Sequence, residues 1–177
     1  MASVFVGFAL TSFVHTVGII LERNNLLPLA VSIRWRFLGA ITFGIFFVIA
    51  GIAHFDGVLT EKLYLPMMPP FIPYNLRRFM NTLAGIIETI IGFASLIFAV
   101  TQSHQYLSYT ALASLLVLFA VFPANIYVAM SPRTQNLIGH SQEFANVRLL
   151  IQVTFALWAA WPLLQIKGVR SSGGVLH

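Results

Sequence analysis

The chain has 177 residues, 58% of them hydrophobic and 8% charged, with a net charge of +5 and a mean hydropathy of +0.86. Soluble domains carry about 25% charged residues, so this composition cannot cover a water-facing surface and points to an integral membrane protein. The absence of cysteine excludes disulfides, thiolate metal sites and thiol catalysis by the chain itself. Basic residues in so apolar a chain belong at span ends and against anionic lipid rather than on nucleic acid.

Residues 1–21 form an uncharged apolar run that ends at Glu22-Arg23. The run is long enough to span. It lacks the basic start and small-residue cleavage site of a secretory signal, so the reading is a span or signal anchor, ahead of an interfacial segment or a cleaved signal. The N-terminal apolar segment is set at residues 1–25. His15 inside it reads as a hydrogen-bonded helix residue. Residues 26–36 read as an interfacial approach, with Pro28 interrupting any helix and Trp35, between Arg34 and Arg36, anchoring at headgroup level.

The first secure span is Phe37 to Phe55, with small residues Gly39, Ala40, Gly44, Gly51 and Ala53 for close helix packing. Residues 56–80 read as a connecting loop. Pro66, Pro69, Pro70 and Pro73 exclude a regular helix there. Its apolar content suggests a segment lying on the interface or a lid over the bundle, and the lid is preferred.

The second span, 81–100, carries one full charge, Glu88. A carboxylate at that depth costs several kcal/mol unless neutralised, paired or wetted, and is a functional-site candidate by default. Gly85, Glu88, Thr89, Gly92, Ser95 and Ala99 share one helical face, so Glu88 points into the bundle. After a short polar turn, the third span runs from 110 to 130. Pro123 within it frees a carbonyl near Phe119, and Asn125 brings donor and acceptor capacity. Residues 131–146 read as a water-facing loop. The fourth secure span is 147–164, with Arg148, Gln152, Phe155, Ala156 and Ala159 on one face. Trp158 and Trp161 are expected near the far interface, and 166–177 as a flexible tail.

Alternation of spans fixes depth. Call the side where the first secure span begins side A, and the other side B. His54 closes that span at side B. Glu88 lies roughly 10 Å below the same surface and Asn125 roughly 8 Å, from the helical rise per residue. Arg148 and Gln152 enter from side B as well. His54, Glu88, Asn125, Arg148 and Gln152 therefore form a polar cluster in one half of the bundle, with nothing of comparable cost in the A-side half; a Glu88–Arg148 pair belongs to its packing reading, and a neutral Glu88 facing a ligand to the other. The cluster reads either as a packing device or as a ligand- or proton-binding cavity open to side B. Basic residues tie between the two sides; Arg148 turning inward leaves the arginines before the first secure span to favour side A in the cytosol.

No pair among His15, His54, His104, His140 and His177 has helical metal-ligand spacing, and no cofactor motif is present. Catalytic residues are not assignable, and an enzyme is disfavoured.

Gly51-Ile52-Ala53-His54-Phe55, the loop Leu65-Pro66 to Pro73-Tyr74, the run Gly85 to Gly92 around Glu88, and Val121-Phe122-Pro123-Ala124-Asn125-Ile126-Tyr127 together resemble the DoxX-like family of small membrane proteins. The resemblance covers residues 37–165. It implies an all-α, multi-pass four-helix membrane bundle, with the N-terminal segment as a possible additional span, in a cell membrane or an organelle membrane such as the endoplasmic reticulum. Members of that family have unlike roles: a subunit of a sulfur-oxidising quinone reductase, a scaffold for oxidative-stress enzymes, a chaperone for receptor assembly. The expected function is thus a non-enzymatic partner or assembly factor in a membrane complex. The alternative is an oxidoreductase subunit with a quinone- or proton-binding cavity around Glu88 and His54. Small-solute transport is weaker, since no repeated half is present.

Overall fold

A computed structural model describes residues 2–24 and 26–163. The chain is all-helical, with no strand among the described residues. Helix α1 spans Ala2–Arg23 and α2 spans Leu29–Ala53. A helical connector follows, made of α3 (Gly57–Leu59), a π-helical turn (Thr60–Tyr64) and α4 (Leu65–Met67). Then come α5 (Tyr74–Val100), α6 (His104–Met130), α7 (Pro132–Ile138), α8 (Gln142–Ala160) and a 3-10 turn, Trp161–Leu163. Three stretches among the described residues are long and apolar enough to cross a membrane: Arg34–Ala53, Tyr74–Val100 and His104–Met130.

The most extensive contact is between α2 and α5, and α5–α6 and α6–α8 complete the core, with α1 lying chiefly on α8. Glycine sets the α2–α5 contact. A Cβ on Gly92 would stand 2.7 Å from the Val48 amide nitrogen and 2.9 Å from the Gly44 carbonyl; a Cβ on Gly51 would stand 2.6 Å from the Thr89 amide nitrogen. Gly44 faces Gly92 and Gly51 faces Gly85, so the helices run antiparallel and touch backbone to backbone at two points one heptad apart. Small residues are what allow such approach. The buried face of α5 is Asn81, Gly85, Glu88, Ile91, Gly92, Ser95 and Ala99, the small and polar face read from the sequence with Thr89 half-buried beside it. Ile86, Ile90, Phe93 and Ile97 stand outward. Phe43, Phe47, Phe155 and Trp158 fill the centre, with the Phe43 ring 4.6 Å from Phe47 and 4.9 Å from Phe155.

The connectors differ from expectation. Pro28 does not delay α2; it stands immediately before the first turn, where its missing N–H costs nothing. Residues 57–67 are helical rather than a loop. Asp56 accepts from the Leu59 amide to start this segment, and Pro66 sits in the first turn of α4, where it is tolerated. Tyr74, not Asn81, begins α5. Residues 131–146 are likewise helical: Ser131 caps α7, Gly139 ends it in the left-handed conformation (φ 68°), and Ser141 caps α8. Gln135 and Gln142 turn back to the last carbonyls of α6, with Gln135 donating to Val128 and Gln142 to Ala129. Residue 164 and the expected tail, 166–177, lie outside the described residues.

Trp158 and Trp161 point into the bundle. Both are 1% exposed, and Trp158 Nε1 donates to the Gly39 carbonyl at 3.0 Å. The Trp35 indole lies against Gly18 and 5.4 Å from the His15 ring.

The glycine contact predicts that Gly92→Ala destabilises the protein by about 1–3 kcal/mol, whereas Gly57→Ala, with nothing within 4 Å of the added Cβ, stays within about 0.5 kcal/mol of the parent. Thermal melts in mild detergent decide this; equal melting temperatures for Gly92→Ala and parent would rule the contact out as the organising one.

Candidate functional site

The polar residues gather at the His54 end of the bundle in two networks. The first joins α2, the 57–67 connector and α5. Asn81, 1% exposed, donates through Nδ2 to the His54 carbonyl at 2.9 Å and to Thr60 Oγ1 at 3.3 Å. Thr60 Oγ1 itself donates to the same carbonyl at 2.8 Å. Those two donations orient the amide, so Asn81 Oδ1 is the acceptor facing His54 Nδ1 at 2.7 Å. The Nδ1 atom therefore carries a hydrogen, and Nε2 is turned to Glu88 Oε2 at 3.4 Å. That oxygen makes no hydrogen bond. Tyr64, from the π-helical turn, stacks on the His54 ring at 4.0 Å and 19°.

The second network joins α6 and α8. Arg148 Nη2 donates to Asn125 Oδ1 at 2.8 Å. Asn125 Nδ2 donates to Gln152 Oε1, and Gln152 Nε2 donates to the Leu118 carbonyl at 2.9 Å. That carbonyl is one residue before the one Pro123 deprives of a partner, so the side chain does not replace the missing bond. Arg148 also contacts Met67 Sδ at 3.6 and 3.8 Å. Met67 and Leu65 of α4 are buried, which lays the connector over both networks. Tyr64 lies in the field of each: burial pushes its phenol up to about 12, Glu88 adds to that and Arg148 opposes it. The phenol thus stays protonated near neutrality. Burial, and after it the Arg148 charge, lowers the pKa of His140 in the α7–α8 turn.

The five residues singled out by sequence all lie at this end, and of the two readings left open for Glu88 the ion pair with Arg148 does not form: Glu88 faces His54, and Arg148 faces Asn125. The residues missed are Asn81, Thr60 and Tyr64. Asn81 was legible, being seven residues before Glu88 on the same helical face. Thr60 and Tyr64 were not, because they reach His54 only through the helical course of the connector.

The opposite end corrects a second expectation. It holds costly polar groups of its own. Arg36, 8% exposed, pairs with Glu22 of α1, its Nε donating at 3.0 and 3.2 Å. Trp161 Nε1 closes the carboxylate at 2.7 Å. His15 is stacked on Trp158 and bonded to Thr42 at 3.0 Å. Beside this group a cavity of about 10 Å³, lined by Arg36, Ser95, Thr110 and Ser114 among others, is the size of one water position.

Chemically, His54 and Glu88 can hold one proton between them at net neutrality, as imidazolium with carboxylate or imidazole with carboxylic acid. No group of three or more His, Asp or Glu that could hold a metal ion occurs among the described residues.

A family model described as a domain of unknown function (DUF8561) matches residues 43–162. The chain belongs to this family. No curated protein and no solved structure matches it. The DUF8561 segment contains every residue of the two networks, and α1 and Arg36 lie before it.

Replacing Asn81 by Leu leaves His54 Nδ1–H without its acceptor, and a loss of about 1–3 kcal/mol is expected. Selective 15N labelling of histidine reads the effect directly, because the ring nitrogens of His54 should change environment. Wild-type ring shifts in Asn81→Leu would contradict the assigned tautomer.

Proposed function

We propose that the chain is a multi-pass membrane protein of DoxX-like architecture that serves as a non-enzymatic partner subunit of a membrane complex, with the His54–Glu88 pair as a one-proton site under the 57–67 cap. The observation that carries the reading is the Glu88 carboxylate facing a histidine whose other nitrogen is pinned by a buried asparagine. A device for packing alone would use neutral partners, since a single carboxylate at this depth is costly. The outward isoleucines and phenylalanines of α5 and α6 support lipid as the surrounding solvent, as exposed apolar surface on this scale is rare in soluble monomers. Short connectors folded back on the bundle support action through helix faces.

The alternative, an oxidoreductase subunit in which the same site meets a quinone or passes protons, draws on Tyr64 stacked on His54, a flat aromatic surface next to a proton-holding pair.

Purification in mild detergent with cross-linking is expected to recover a stoichiometric membrane partner with both native protein and Glu88→Gln. Partner-free native protein would overturn the primary reading. The alternative requires Glu88→Gln, folded and inserted, to lose quinone-dependent electron transfer; unchanged turnover rejects it.

A further inference from the structure

Two arginines turn inward, one at each end of the bundle, and they are satisfied differently. Arg36 meets a carboxylate. Its Nε reaches both oxygens of Glu22, and Trp161 completes the carboxylate's shell. Arg148 meets none. Its acceptors are one amide oxygen, Asn125 Oδ1, and one thioether, Met67 Sδ.

The inventory of side-chain carboxylates is complete, because the chain has five Asp and Glu residues and all are described. Glu22 is on Arg36. Asp56 caps the connector. Glu61 bonds Tyr74 and lies 3.4 Å from Arg78. Glu88 faces His54. Glu143 is exposed in the first turn of α8. Tyr64, the nearby phenol, is protonated and supplies no charge.

A half-buried guanidinium offers five N–H donors in a planar fork matched to oxyanions. A thioether is a weak acceptor. The Asn125–Gln152–Leu118 series holds the guanidinium in place and leaves its charge uncompensated, which is costly in an interior.

We propose that Arg148 is the seat of an oxyanion ligand, a carboxylate or a phosphate ester, which takes the place of the Met67 sulfur on the guanidinium fork. The proposal rests on the reading of the His54 end as a binding site and names the ligand class. Asn125 and Gln152 are positioning residues in it. Met67, on α4, links occupancy to the cap: a bound oxyanion displaces the sulfur and with it one attachment of the 57–67 segment.

The test uses the full chain in an uncharged maltoside detergent. In one arm, acetate, propionate and benzoate are titrated at constant ionic strength against chloride. In the other, an anionic phospholipid is added to the micelles. Stabilisation in the first arm identifies a free carboxylate, and in the second alone a lipid headgroup. At a hundredfold excess over Kd the melting temperature is expected to rise by about 5–10 °C. Arg148→Gln should abolish the shift and Arg148→Lys, which keeps charge without the fork, should weaken binding about tenfold. Arg133→Gln, an exposed arginine, should leave it intact. Met67→Leu, which removes the competing sulfur, should tighten binding and serves even where the Arg148 variants do not fold. No shift in either arm, an equal shift in Arg148→Gln, or unchanged affinity in Met67→Leu overturns the proposal. Its failure would leave the partner-subunit reading standing, because that is tested by recovery of a stoichiometric membrane partner and does not depend on Arg148.

Discussion

The backbone contact between α2 and α5 is the constraint from which the site follows. Gly44 on Gly92 and Gly51 on Gly85 allow one antiparallel register. In that register the C-terminal end of α2 meets the first turns of α5, and His54 arrives between Asn81 and Glu88. A slide of one turn along the axis would set side chains against backbone at the glycine positions and part His54 from both partners. Close packing and polar pairing are thus one feature: the helices approach because they lack side chains at four points, and the polar groups meet because the helices approach. Inside a bundle, where a mispaired carboxylate is expensive, each requirement reinforces the other.

The two ends of the bundle solve the same electrostatic problem differently. At one end a guanidinium, a carboxylate and an indole close on each other, and α1 supplies the carboxylate. The N-terminal helix is thereby tied to the domain by a buried charge pair, as well as by the stacking of His15 on Trp158. At the other end a histidine faces a glutamate, and an arginine is held by an amide. The first arrangement is closed and leaves little for a ligand. The second leaves an unsatisfied carboxylate oxygen and an uncompensated cation beneath a short helical cap. The asymmetry makes the His54 end the place to look for binding and the Arg36 end a structural clamp.

Much of this was legible in the chain. The polar face of α5 follows from a period of 3.6, and so does the inward turn of Gln152 and Phe155 on α8. Asn81 was within reach by the same periodicity. The connectors were misread because polarity and proline were weighed above capping: Ser131-Pro132, Gly139 and Ser141 mark the start, stop and restart of helices, and Asp56 does so for the cap. Trp158 and Trp161 were assigned to an interface because tryptophan near a span end usually lies there. Here their N–H groups find a carbonyl and a carboxylate inside, which makes burial affordable.

What the sequence determined by itself is the apolar, all-helical character of the chain, its three long apolar helices, and the end at which His54, Glu88, Asn125, Arg148 and Gln152 collect. These depend on composition, on helical period and on alternation of chain direction, all local or one-dimensional properties. Partner choice was decided only in three dimensions. Glu88 takes His54 rather than Arg148, Arg36 takes Glu22 from fourteen residues upstream, and Arg148 is left with an amide and a sulfur. Depth places a residue within a layer, but hydrogen bonds act over about 3 Å, and only the packing of one helix on another resolves distances that small.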